Sequence, residues 1–288
     1  MRVLVTGAAG FVGRHLVPAL AGEGHAVHAL VRDASRAPAG LDVEVIERDL
    51  ATLAAGADLP EVDAVVHLAQ ANVPFPEGAG ELFRVNALST QALLEHARRC
   101  GARRFLLAST GSVYGFGDRP FTEEDPRVGT TFYAATKVAA EALVEAYAGV
   151  LSTAVLRLFC PYGPGQTGRH VPAIVGRVRE GRAVTLDEGG RPRINPILVD
   201  DVVRAIAALL PRDGHQLLNV AGDAVVSIRD LAAAAGAALG RNPVFEVGSP
   251  TAAGDLVADT TRLHEELPGL RPLASLAEGL RRMAAAST

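Results

Sequence analysis

Arg2-Val3-Leu4-Val5-Thr6-Gly7-Ala8-Ala9-Gly10-Phe11-Val12-Gly13 passes from an apolar, β-branched run through a glycine-rich loop into a helical pattern that begins at Phe11. A strand, a tight turn and a helix in succession read as the opening unit of a sheet whose strands alternate with helices. Gly7, Gly10 and Gly13 make a G-x-x-G-x-x-G pattern. Glycine there permits the turn, lets a pyrophosphate approach the backbone, and lets helix pack on strand, with the helix N-terminus facing the phosphates. A purely structural turn is the bland alternative, and the strand–loop–helix context favours nucleotide binding through Gly7, Gly10, Phe11, Val12 and Gly13.

Outward from this stretch the alternation continues. Strands are expected at 26–31, 43–46, 64–68, 104–108 and 154–158, with helices at 81–99 and from Tyr133 to about residue 148. This pattern predicts an α/β protein with a Rossmann-type, doubly wound parallel sheet. Ligands of such sheets lie beyond the carboxyl ends of the strands, where Gly7, Arg32, Asp49, Ala69 and Ser109 all fall. Past residue 163 the pattern is less regular. Helices are expected at 171–180, 227–239 (with Ser227 as its cap) and 276–283, a short strand at 183–186, and a strand and helix within 195–210 that rejoin the sheet. The expected division is a dinucleotide-binding domain over 1–162 and 195–222, and a small, discontinuous C-terminal substrate domain over 163–194 and 223–288.

Composition narrows the function classes. The chain has 288 residues, is 49% hydrophobic and 21% charged, and carries a net charge of −4, which fits a soluble globular protein and argues against a nucleic-acid partner. With no tryptophan and 5% aromatic residues, a carbohydrate-stacking surface and a base-stacking platform are both disfavoured. No apolar run reaches membrane-spanning length and the first residues read as a strand, so no membrane partner and a cytoplasmic location are expected. Cys100 and Cys160 form neither a disulfide framework nor a metal-binding cluster, and no metal is expected.

The chain holds one lysine, Lys137, among 28 basic residues. It lies four residues after Tyr133 in Tyr133-Ala134-Ala135-Thr136-Lys137, so on a helix the two share a face one turn apart. A compact ammonium beside a phenol, at roughly 5 Å and an effective dielectric near 20, is worth about 3 kcal/mol and lowers the phenol pKa by ~2 units. Tyr133 is thereby a candidate acid/base. At the end of the second strand stand Val31-Arg32-Asp33, with Arg36 a turn later. Arginine there suits a 2′-phosphate, so Arg32 and Arg36 favour NADP(H); Asp33, which can reach a ribose hydroxyl, keeps NAD(H) as the alternative.

Taken in order, the glycine loop, Asp49-Leu50, His67-Leu68-Ala69, Asn86, Ser109-Thr110, Val113-Tyr114-Gly115 and Tyr133-x-x-x-Lys137 resemble the extended short-chain dehydrogenase/reductase family. More narrowly they resemble its NAD(P)-dependent epimerase/dehydratase branch, which acts mostly on nucleotide sugars. Tyr162-Gly163-Pro164-Gly165-Gln166, Val199-Asp200-Asp201-Val202, Asn219-Val220-Ala221-Gly222 and Ser227-Ile228-Arg229-Asp230-Leu231 carry the resemblance through the rest of the chain. It implies that Tyr133 exchanges a proton with a sugar hydroxyl or ketone, that Lys137 lowers its pKa and binds the nicotinamide ribose, and that Thr110 hydrogen-bonds the reacting oxygen. It further implies cofactor contacts from Asp49, Leu50, Leu68, Ala69, Gln70, Ser109, Cys160 and Pro161, with Asn86 supporting the site's backbone. Ser112, Arg169, Arg177 and Arg193 are the weaker substrate candidates, and a homodimer through the two long helices is expected.

Three departures bear on specificity. Gly111-Ser112 follow Thr110 where the 4,6-dehydratases of this branch carry Asp-Glu, which argues against water elimination. Cys160 precedes Pro161 where many sugar-nucleotide enzymes have asparagine, and a thiol cannot supply that amide. Arg193-Ile194-Asn195-Pro196 stands out of the usual arginine–aspartate–aromatic register. The expected function is an NAD(P)-dependent epimerase or oxidoreductase acting at a sugar carbinol carbon. An NADP-dependent reductase of a non-sugar ketone is the alternative, and a non-catalytic nucleotide sensor the remoter one.

Overall fold

Val3, Leu4 and Val5 lose all solvent exposure inside the first strand, as in a strand covered on both faces. In the computed structural model, which describes residues 1–38, 43–168, 170–187, 191–248 and 254–286, the first part of the chain forms β1 (Arg2–Thr6), α1 (Phe11–Gly22), β2 (Ala26–Val31), β3 (Glu44–Glu47) and β4 (Ala64–His67). It continues through α2 (Ala79–Phe83), α3 (Ser89–Arg99), β5 (Arg104–Thr110), α4 (Phe132–Ala146) and β6 (Ser152–Leu158). There follow β7 (Pro161–Tyr162), α5 (Val171–Arg179), β8 (Val184–Leu186), β9 (Ile197–Leu198), α6 (Val199–Leu209) and β10 (His215–Val220). The chain closes with α7 (Ile228–Leu239), β11 (Phe245–Val247), α8 (Thr261–Glu266) and α9 (Leu276–Ala285).

Seven strands form one sheet in the order β3-β2-β1-β4-β5-β6-β10. β1 pairs in parallel with both β2 and β4, so the order reverses at β1, the place where a doubly wound sheet opens a ligand crevice. The expected Rossmann-type sheet is therefore what the chain forms.

The chain divides into two units. One comprises Met1–Tyr114, Pro126–Arg157 and Val203–Leu218, the other Gly115–Asp125, Leu158–Val202 and Asn219–Thr288. The core of the first gathers Leu4, Val65, Leu93, Phe105, Val144 and Val155. That of the second gathers Tyr162, Val175, Val178, Leu231, Leu280 and Met283.

Most element ends shift from the expected ones by one to three residues, as terminal turns do. The helix expected at 81–99 is different in kind. It is α2, then a π turn over Arg84–Leu88, then α3. The widened turn carries Asn86, whose carbonyl oxygen accepts from Thr90 Oγ1 at 2.8 Å, while Val85 O accepts from Ser89 Oγ at 2.6 Å. Hydroxyls thus bond back to carbonyls of the widened turn, and such turns recur at functional sites. Caps are local, and the one at Ser227 is as expected. Thr131 Oγ1 accepts from Ala134 N at the start of α4, and Ser227 with Asp230 forms a reciprocal capping box on α7. Among the described residues no helix is long and apolar enough to cross a membrane.

Candidate active site

The glycine loop is built for close approach. Gly7 has φ +68°, and a Cβ there would lie 2.7 Å from Ala69 N. A Cβ on Gly13 would meet Gly7 O at 2.3 Å, so both positions exclude larger residues. Gly10 N donates to Gly7 O at 2.8 Å and closes the turn. The α1 N-terminus carries no side-chain cap and no acidic residue in its first turn. Its N–H groups and dipole are left for an anion, so a dinucleotide's pyrophosphate fits these residues. Phe11 and Val12 are half-buried, Phe11 edge-on to His15 at 5.5 Å.

At the end of β2, Arg32 and Arg36 are exposed, and Arg32 Nη1 lies 3.8 Å from Glu81. Asp33 Oδ1 accepts from Ser35 Oγ at 2.6 Å and Ser35 N at 3.0 Å, bonds that hold its carboxyl below the usual range. Asp49 Oδ1 accepts from Ala51 N at 2.9 Å, and Leu50 buries its side chain in the core. Leu68 and Ala69 are half-buried after β4, where Ala69 N donates to Thr6 Oγ1 at 3.3 Å.

The acid/base candidates sit on β5 and α4. Tyr133 and Lys137 lie on α4 one turn apart, as their spacing predicted. Lys137 is buried and its Nζ donates to Ala108 O at 2.7 Å. Burial lowers its pKa to about 8, against the opposing pull of Glu141. Tyr133 Oη donates to Gln70 Oε1 at 2.6 Å. At the end of β5, Thr110 Oγ1 donates to Ser112 Oγ and accepts from Ser112 N, both at 3.2 Å. Asn86, fully buried, accepts from Ala71 N at 2.8 Å and donates to Ala71 O at 3.1 Å and Thr136 Oγ1 at 3.0 Å. Its amide therefore ties the segment after β4 to α4.

Sequence reading missed a buried polar group behind these residues. Ser109 Oγ donates to Glu141 Oε1, and Arg157 bonds Glu141 through Nη2 at 2.7 Å and Nε at 3.2 Å. Arg157 Nη1 also donates to Tyr114 Oη at 2.5 Å and stacks 4.7 Å from that ring. Glu141 is wholly buried and Arg157 2% exposed. The signal available was the Lys137–Glu141 spacing of four on a helix. His67, fully buried, shares a 2.7 Å hydrogen bond with Thr6, and burial followed by the Lys137 charge pushes its pKa down to about 3.

The remaining candidates lie in the second unit. Cys160 is half-buried, and burial pushes its thiol up to about 11, which removes it as a nucleophile at neutral pH. Pro161 opens β7 and its carbonyl accepts from Gln166 at 2.9 Å. Arg177 donates to Ala183 O at 2.8 Å. Arg193 binds the buried Asp255 through its backbone N and Nε at 2.8 Å and Nη2 at 2.7 Å. Arg169 lies outside the described residues.

The sequence model of the NAD dependent epimerase/dehydratase family matches residues 3–221. The chain belongs to that family. As an enzyme of the NAD dependent epimerase/dehydratase family it takes a nicotinamide dinucleotide, which the loop geometry accommodates. It is 33% identical to a UDP-glucose 4-epimerase of Mycolicibacterium smegmatis, over 97% of this chain and 96% of the relative. It is 36% identical to a 3-diazoavenalumate denitrifying reductase of a Streptomyces species, over 77% of this chain and 76% of the relative. Among solved structures it is similar to MoeE5 in complex with UDP-glucuronic acid and NAD, with a TM-score of 0.88, 32% identity, and 100% and 99% of the two chains covered. The chain is also similar to a dTDP-glucose 4,6-dehydratase of Streptomyces griseus, at 31% identity over 96% of this chain and 91% of the relative. The expected NADP(H) preference gains no support from the NAD-bound structure.

Proposed function

We propose that this enzyme epimerises a nucleotide sugar at a carbinol carbon. The observation that carries the reading is Tyr133, placed one turn from a buried Lys137 in a chain similar over its whole length to a protein solved with UDP-glucuronic acid and NAD. Tyr133 as phenolate takes the proton of a sugar hydroxyl and returns it to the ketone oxygen. Lys137 supplies the positive charge that makes the phenolate accessible, and Thr110 donates to the reacting oxygen. The chemistry that the bound cofactor supplies is reversible hydride transfer at the same carbon. Gly111 and Ser112 offer neither the acid nor the base of water elimination, so we infer that no dehydration follows.

For the resident cofactor we infer NAD, against the expectation drawn from Arg32 and Arg36. Asp33 stays ionised at the end of β2, where it repels a 2′-phosphate and accepts from a ribose hydroxyl, and Glu81 offsets part of the Arg32 charge. The division of labour between a dinucleotide-binding domain and a substrate domain belongs to the same reading. So do a cytoplasmic site of action and a homodimer, for which exposed Phe83 and Leu88 on α2 and the π turn supply apolar surface.

The alternative, a reductase of a non-sugar ketone, is carried by Cys160, which cannot supply an amide to a nucleotide diphosphate. The deciding experiment has two parts. The nucleotide released on denaturing the purified protein is identified by mass spectrometry, and NMR follows a panel of UDP-sugars with wild type and Tyr133→Phe. Bound NAD, with epimerisation that is lost in Tyr133→Phe while the nucleotide stays bound, supports the proposal. Protein that binds NADPH more tightly than NADH and reduces ketones lacking a nucleoside diphosphate overturns it in favour of a reductase.

A further inference from the structure

Gln70 follows β4, is exposed, and accepts the Tyr133 phenol proton at 2.6 Å across 63 residues of sequence. Its place is set by buried groups. The next residue, Ala71, is held at both its N–H and C=O by Asn86, and Asn86 in turn donates to Thr136 on α4, the helix that carries Tyr133. One residue before Gln70, Ala69 N is tied to Thr6 Oγ1. The contact between amide and phenol is thus registered by hydrogen bonds on both sides of Gln70.

The chemistry of the amide suits a residue whose partner changes charge. Its oxygen accepts from a neutral phenol, and after a half-turn of the group its NH2 donates to a phenolate. A carboxylate can only accept and so favours the protonated phenol; an aliphatic side chain serves neither state. The titratable and charged groups around this part of α4 are Lys137 and Glu141 on the same helix, Arg157 on β6 and Arg127 before α4 against Glu141, and His67 on β4 beside Lys137. Gln70 adds hydrogen bonding to this set without adding charge.

We propose that Gln70 is a positioning residue for Tyr133, holding the acid/base in both protonation states through the reaction. The proposal rests on the reading of Tyr133 as acid/base, and assigns to Gln70 a role other than cofactor contact.

The test uses purified protein carrying [13Cζ]tyrosine, with the Tyr133 resonance assigned by its loss in Tyr133→Phe and titrated in wild type, Gln70→Glu and Gln70→Leu. The expected result is a Tyr133 midpoint raised by about one unit or more in Gln70→Glu, because a carboxylate disfavours the phenolate. Gln70→Leu is expected to lower kcat roughly tenfold while KM for the sugar and affinity for the nucleotide hold. An unmoved midpoint in Gln70→Glu, or a Gln70→Leu variant that loses nucleotide affinity and keeps kcat, overturns the proposal. The titration needs no substrate. A raised midpoint without turnover of any UDP-sugar therefore upholds Gln70 and sinks the epimerase reading, whereas turnover with an unmoved midpoint sinks Gln70 alone.

Discussion

The Lys137 ammonium loses its water on folding and keeps one described hydrogen bond, to Ala108 O at 2.7 Å. Its pKa of about 8, lowered first by burial, sets a pH limit on the site. Below that value Nζ carries its proton and, on the proposed mechanism, would stabilise the Tyr133 phenolate; above it the charge is lost. Turnover is therefore expected to fall as pH rises through about 8, visible as a descending limb in kcat against pH. Lys137→Arg retains the charge but not the shape, since a planar fork cannot occupy a space built for a point charge. That variant is expected to lose about 100-fold or more in kcat, with the released-nucleotide assay showing whether cofactor binding survives. Of the site's residues, the Tyr133–Lys137 pair was the most legible, because a spacing of four has one meaning on a helix. Arg32 was the least, because a strand end shows which charge is present and not what compensates it; Asp33, cinched by Ser35, and Glu81 are the compensation.

Between β5, α4 and β6 the stabilising unit is the buried Glu141–Arg157 pair with Ser109 and Tyr114 around it. Two charges out of water are tolerated here because each bonds the other and further hydroxyls satisfy what is left. Arg127 adds a third contact, 3.4 Å from Glu141, and holds Glu145 at 2.8 Å. Replacing one partner leaves the other uncompensated. Glu141→Gln is expected to destabilise the fold by about 3 kcal/mol, read as a lower urea midpoint with unchanged slope, and the double variant Glu141→Gln/Arg157→Leu to recover part of the loss. The helix register on α4 was readable from sequence. The partner of Glu141 was not, since Arg157 resembles any other arginine until β6 is set beside β5 in the sheet. The π turn was likewise hidden, because the apolar pattern of 81–99 is equally that of an unbroken helix.

For the molecule as a whole, burial of His67 links folding to pH. The unfolded chain binds a proton at this imidazole below about 6.5, whereas the folded one does not until about 3. Between those values the unfolded state holds more protons, so stability is intact above the upper value and is lost as pH falls. Relative to His67→Gln, the wild type is expected to lose about 1.4 kcal/mol per pH unit between roughly pH 6 and 4, measured by denaturant unfolding at several pH values. The proposed homodimer makes its own prediction. Light scattering on the eluting protein should return twice the chain mass, and charged residues in place of Phe83 and Leu88, both exposed, should return the single mass.

Sequence alone determined what depends on near neighbours in the chain. The glycine loop with its strand and helix, the cap at Ser227, the shared helix face of Tyr133 and Lys137, and the alternation that implies a doubly wound sheet all follow from local geometry with periods of two and 3.6 residues. Tertiary structure decided the rest. Gln70 against Tyr133, Asn86 between Ala71 and Thr136, and Glu141 with Arg157 each join segments that lie next to one another only after β4, β5 and β6 take their places in the sheet. Those contacts are hydrogen bonds between buried or converging polar groups, whose energy depends on distances of about 3 Å that no spacing along the chain specifies.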